Sequence, residues 1–121
     1  MSAKHPEHVY HLARRAEWDE AQSTGVYRGS ADDRRDGFLH FSTSEQIVES
    51  ARRHRAGEPD LLLLRVRTAE LGDALRWEPS RGGGLFPHLY GELPVSAVDR
   101  ADELPLTADG SHTFPPLALE G

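Results

Sequence analysis

The sequence predicts an α+β fold with a curved, mostly antiparallel sheet and short helices. Two observations carry that reading. Runs with the two-residue alternation of strands and runs with helical period follow one another without regular alternation, which argues against a doubly wound parallel sheet. The most apolar stretch, Leu61 to Val66, is short and bounded by Gly57-Glu58-Pro59-Asp60, as a buried strand would be. At 121 residues the chain is one domain, long enough for a single core without staples.

The elements follow in order. Glu7 to Ala13 reads as the first strand, with Val9, His11 and Ala13 on one face and Tyr10 and Leu12 on the other. Arg15 to Ser23 changes to helical period, anchored by Trp18, and Gly25 is its stop. Val26-Tyr27-Arg28 adds a short extended piece before a polar loop from Gly29 to Arg35. Asp36-Gly37 is a turn signal, and the central strand behind it places Phe38, His40 and Ser42 on one face and Leu39 and Phe41 on the other. Ser42 and Thr43 then offer N-caps to a helix of about Thr43 to Arg55, with Glu45 and Gln46 as capping-box partners. Such strand-to-helix junctions expose N–H groups that bind anions.

After Leu61 to Val66, Thr68 to Gly72 is a helical turn and Ala74 to Glu78 a strand ended by Pro79. Arg81 to Gly84 reads as a mobile loop and lacks the Lys-Ser/Thr ending of a P-loop. Leu85 to Gly91 is a strand with His88 and Tyr90 on one face, its Pro87 suited to an edge or a strand start. Pro94 to Val98 is a turn of helix and Asp99 to Leu104 a last strand. Residues 1–104 make the domain, and 105–121 read as a weakly structured tail.

Composition narrows the function. Without cysteine there is no disulfide or thiolate site. No apolar run reaches the roughly 20 residues of a membrane span, and the N-terminus lacks a signal peptide, so a cytoplasmic protein is expected. The net charge of −6 disfavours a broad nucleic-acid surface. All basic residues but Lys4 are arginines, which a GC-rich coding bias accounts for first, though their planar forks would suit a phosphate-bearing ligand if several converged. Nothing in the sequence fixes an oligomeric state.

Three histidines, His11, His40 and His88, fall inside expected strands beside aromatic residues, and they are expected to meet at one cleft with Ser42 and Tyr90. Each taken alone is more often a hydrogen-bonded structural histidine than a reactive one. The remaining four, His5, His8, His54 and His112, read as solvated. Zinc on three imidazoles finds no ligand spacing, so no metal is expected. His40-Phe41-Ser42 has the H-x-S form of two-histidine phosphoesterases, but His88-Leu89-Tyr90 lacks the second hydroxyl. Ser42 has no G-x-S-x-G elbow around it. Glu78 and Glu92 are the carboxylates close to the candidate segments, and both tryptophans read as core.

Tyr10-His11-Leu12 with Trp18, Gly37 to Thr43, Arg76-Trp77-Glu78-Pro79 and Phe86 to Gly91, in that order, resemble the bacterial family called domain of unknown function 952 over about Val9 to Leu104. The resemblance implies a split, curved sheet related to the ADP-ribosyltransferase superfamily, nearest to the RNA 2′-phosphotransferases and rifampicin ADP-ribosyltransferases. It implies NAD or a related nucleotide as ligand and a small molecule or nucleic-acid phosphate as acceptor. By the same resemblance His11 would hold a ribose, Ser42 and Thr43 would join it in cofactor binding, and His40, His88 and Tyr90 would serve catalysis through an oxocarbenium-like state. The glutamate that many relatives use has no clear match, since Glu92 follows Gly91 in an expected turn. A non-enzymatic metabolite or anion module, or an enzyme of other chemistry in the same cleft, fits the residues as well.

Overall fold

The computed structural model describes residues 6–80 and 84–117, so Arg81, Gly82 and Gly83 of the expected mobile loop lie outside the described residues. Among the described residues eight strands and three α-helices follow one another: β1 (His8–Arg14), α1 (Arg15–Thr24), β2 (Val26–Tyr27), α2 (Ala31–Asp36), β3 (Leu39–His40), α3 (Ile47–His54), β4 (Leu61–Arg67), β5 (Leu75–Pro79), β6 (Leu85–Leu89), β7 (Leu93–Pro94) and β8 (Val98–Glu103). Among the described residues every strand pair is antiparallel. The class is the expected α+β with short helices. The strands divide into sheets of order β1-β4-β8 and β3-β6-β5 and the small pair β2-β7. No helix among the described residues is long and apolar enough to cross a membrane.

β4 is the spine because both its faces are apolar. Leu62, Leu64 and Val66 join Val9, Ala13, Trp18, Tyr27, Leu39, Phe41 and Leu89 in the larger core. Leu61 and Leu63 face the other way and pack with Tyr10, Leu104 and Ile47 of α3. Each fully buried leucine contributes about 1.5–3 kcal/mol. Phe114 and Leu117 lean on this second cluster, and Leu106 bridges His112, so the stretch read as a weakly structured tail carries a hydrogen-bonded turn and packed side chains. His112, read as solvated, bonds the Glu58 carbonyl at 2.8 Å through Nε2.

Two further differences bear on the site. The loop expected from Gly29 to Arg35 is helix α2, closed at its start by a reciprocal box between Ser30 and Asp33. Its six residues are almost wholly polar, so no hydrophobic period announces it. The central strand is shorter than expected: β3 is two residues, Phe38 precedes it, and Ser42 makes an isolated bridge to Tyr10. That bridge, with N–H···O bonds of 2.8 Å in both directions, is where β1 meets the chain that carries β3.

Two glycines frame α2, and they differ in what surrounds them. Gly29 has φ +82°, and a methyl there would meet Asp33 Oδ2 at 2.6 Å and Asp33 Cβ at 2.7 Å as well as Leu39. Gly37 has φ +86° with nothing within 4 Å. Gly37→Ala is expected to cost about 1–2 kcal/mol from backbone conformation alone. Gly29→Ala is expected to cost at least about 2 kcal/mol more, because backbone and buried carboxylate must both move. Urea unfolding of the two variants checks this, and equal losses would contradict it.

Candidate functional site

The site is built on Asp33. The carboxylate sits at the third position of α2 and is 3% exposed. Oδ2 accepts the Ser30 backbone N–H at 2.8 Å and the Ser30 hydroxyl at 3.0 Å. Oδ1 accepts the His40 backbone N–H at 3.0 Å and His40 Nδ1 at 2.5 Å. Burial pushes the Asp33 carboxyl up, but the bond from His40 and the backbone N–H donors of Ser30 and His40 outweigh it and hold the group well below the usual carboxylate range. One acid therefore caps α2 and fixes β3.

His40 is held from both ends. Its Nε2 lies 3.1 Å from Asp36 Oδ2, one turn along α2 from Asp33. With a carboxylate beside each nitrogen, the charged imidazolium is the favoured form of the ring. The bond to Asp33 raises its pKa from the ordinary 6.5 against the opposing effect of partial burial. The side chain is 44% exposed, so this cation is presented to solvent.

His11 stands directly behind. Its Nδ1 donates to the His40 carbonyl at 2.6 Å, which leaves Nε2 to accept the Tyr27 hydroxyl at 2.8 Å. This fixes a neutral tautomer, and burial pushes its pKa down despite the charge of Asp33. Asp33 Oδ2 lies 3.7 Å from His11 Nε2, beyond a hydrogen bond. Burial likewise pushes the Tyr27 hydroxyl above its ordinary 10.0, keeping it a neutral donor. The ring is 3% exposed and both its nitrogens are occupied.

His88 is paired with His40 across β3 and β6, their ring centroids 5.8 Å apart. Phe38 stacks on His88 at 4.2 Å and also flanks His40 at 4.6 Å and Tyr90 at 5.2 Å. Behind His88, Glu78 of β5 accepts both His88 Nδ1 and the Tyr90 hydroxyl at 2.8 Å on the same oxygen, Oε1. Those two donors hold the Glu78 carboxyl below its ordinary value. The bond to Glu78 raises the Tyr90 phenol, and Arg76 lies over the Tyr90 ring at 5.0 Å.

A cleft of about 720 Å³ opens between α2, α3 and the ends of β3 and β6. His40, Ser42 and His88 line it, with Asp33 and Asp36 on the α2 side and Arg53 and Arg55 on the α3 side. Arg35, Arg53 and Arg55 all line the cleft, each already near a carboxylate: Asp32 and Asp36, Glu49, and Glu58. Ser42 Oγ shares a hydrogen bond of 3.0 Å with Ser50 of α3. Thr43 Oγ1 accepts the Gln46 N–H at 3.2 Å while Gln46 Oε1 accepts the Thr43 N–H at 3.0 Å, the reciprocal box expected at this junction.

His40, Ser42 and His88 thus share one cleft wall, whereas His11 lies one layer deeper and Tyr90 stands on the sheet face beyond the lining. Glu92 is engaged by Arg28 at 2.8 Å on the surface. Sequence reasoning missed Asp33 and Asp36, which it assigned to a loop and a turn. The Ser30-x-x-Asp33 spacing was the signal available for the first. Among the described residues no three metal-ligating side chains are placed to hold an ion.

Fold and cleft define a small antiparallel α+β protein with two carboxylate-backed histidines side by side at an open groove. The chain belongs to the family described as protein of unknown function DUF952, whose model matches residues 12–101. It is similar to the Caulobacter crescentus protein CC0527. The crystal structure of that protein has a TM-score of 0.84 at 47% identity, covering 88% of this chain and 93% of the other. A solution structure of the same protein gives 0.77 at 48% identity, with 87% and 90% covered. No curated protein matches.

The two carboxylates on His40 predict a pH signature. Its folded pKa is raised, so its contribution to stability is complete below the ordinary 6.5 and is lost as the pH climbs through the folded value. The stability difference between wild type and His40→Gln is expected to be largest in mild acid and to shrink toward alkaline pH. Urea midpoints from about pH 5.5 to about pH 9 measure it, and a flat difference would count against a cationic His40.

Proposed function

We propose that the cleft binds NAD or a related nucleotide and that the chain is an ADP-ribosyltransferase-like enzyme acting on a small molecule or a nucleic-acid phosphate. One observation carries the reading: His40, His88 and the Asp36 carboxylate share the wall of a single open cleft. The residues present fit such a ligand. A volume of about 720 Å³ lies within the usual range for small-molecule and cofactor sites. Arg53 and Arg55 offer guanidinium groups to a pyrophosphate on one side, and Phe86 offers a flat apolar face on the other.

The nucleotide would supply an activated bond between C1′ of a ribose and a nicotinamide nitrogen. The chain supplies position and charge. Asp36, with a side chain 35% exposed, presents negative charge where positive charge develops on the ribose, the part for which the sequence offered no matching glutamate. His40 fixes Asp36 and adds positive charge to the cleft wall. His11, sealed from the cleft, acts through the His40 carbonyl by setting where β3 lies.

A specific feature favours a second reading, a binding module without turnover. Both nitrogens of His40 are engaged, so that ring takes no proton from a ligand unless Asp36 moves away.

Saturating NAD or ADP-ribose is expected to stabilise the protein by about 2.7 kcal/mol at a hundredfold excess over Kd, seen as a rise in melting temperature of several degrees. Asp36→Asn is expected to keep most of that shift and to lose turnover. No shift at millimolar nucleotide would remove the NAD reading, and a shift without nicotinamide release would establish the binding module.

A further inference from the structure

We infer that His88 Nε2 is the proton acceptor for an incoming hydroxyl group, with Glu78 as its positioning residue, so that the acceptor substrate is an alcohol. The inference rests on the transferase reading and assigns the half of the reaction that the nucleotide does not supply.

The two histidines on the cleft wall are not equivalent. His40 has a carboxylate on each nitrogen. His88 has one, at Nδ1, and its Nε2 makes no hydrogen bond among the described residues. That nitrogen is not sealed off either: His88 is 8% exposed, lines the cleft, and Nε2 is not among the buried polar atoms that lack a partner. With Nδ1 donating to an ionised Glu78, the proton of the neutral ring sits on Nδ1 and the lone pair on Nε2 faces the groove. Phe38 covers one ring face at 4.2 Å and Glu78 holds Nδ1 at 2.8 Å, so the ring has little freedom to turn. A nitrogen with a fixed lone pair, an orienting carboxylate and access to ligand is what a general base requires.

The groups around it determine the direction of proton flow. Glu78 stabilises the imidazolium once formed, and Tyr90 donates to the same Glu78 oxygen, keeping that oxygen in place. The neighbouring cation, His40, is balanced by Asp33 and Asp36, so it does not oppose charge on His88 as a bare cation would. In the transfer, Nε2 takes the proton of the acceptor O–H as that oxygen forms the new bond to C1′. The electron pair of the C1′–N bond leaves with neutral nicotinamide, and the proton passes from His88 to solvent. Atoms and charge balance without a further reagent.

The test combines a spectroscopic and a kinetic measurement. Long-range proton–nitrogen correlation spectra of histidine-labelled protein are expected to show His88 as the Nδ1–H tautomer with an unprotonated Nε2, and Glu78→Gln is expected to abolish that preference. With NAD and glycerol as acceptor, His88→Gln is expected to keep the NAD-induced melting shift while transfer falls by about 10²–10⁴. His88→Asn, read for melting temperature and NAD shift alongside it, separates loss of the base from loss of the fold. An Nε2–H tautomer in the wild type, or transfer by a folded His88→Gln at the wild-type rate, would overturn the inference. Absence of an NAD shift in the wild type would instead defeat the transferase reading. The tautomer then still decides whether His88 is poised as a base.

Discussion

The carboxylate of Asp33 is the group on which the rest of this architecture depends. Four donors converge on its two oxygens, two from Ser30 and two from His40. Burying an anion is costly unless every lone-pair direction is met, and here the donors come from the start of a helix and from the strand that follows it. Gly29 has no side chain because Asp33 and Leu39 occupy the space a methyl would need. The short α2, too polar to be held by packing, is held by this single acid. The position of His40 in the cleft follows from it.

Around that point the molecule separates three imidazoles by environment. His11 is neutral because it is buried between a carbonyl and a phenol. His40 is cationic because it lies between two carboxylates. His88 carries one carboxylate and one open nitrogen. The same side chain, on neighbouring strands, thus serves as a strut, a fixed cation and an accessible base. Backbone register does much of this sorting: the His40–His88 pairing sets the two rings on one sheet face, and the His40 carbonyl turns the other way to meet His11.

Much of this was legible from residue order. Alternation around Leu39-His40-Phe41 placed the apolar pair inside and His40 outside, and the structure has Leu39 and Phe41 buried beside an exposed imidazole. The apolar run at Leu61 did become the strand buried on both faces. What was not legible has a common cause. The supporting acids Asp33 and Asp36 lie where hydrophobic period is silent, on a helix without an apolar stripe. Likewise, the depth of His11 depends on Tyr27 and the His40 carbonyl closing over it, which no local pattern encodes.

The Tyr10–Ser42 bridge joins the two larger sheets through one residue pair. His11, reaching from β1 to the His40 carbonyl, is a second tie two residues back along the β3 side. These ties make a polar seam at the base of the groove. The walls of the cleft, one on the β3-β6-β5 sheet and the other on α3, are hung on either side of it through Ser42 and Ser50. The base of the groove is therefore set by a few polar contacts, while one apolar core packs the two larger sheets together behind it.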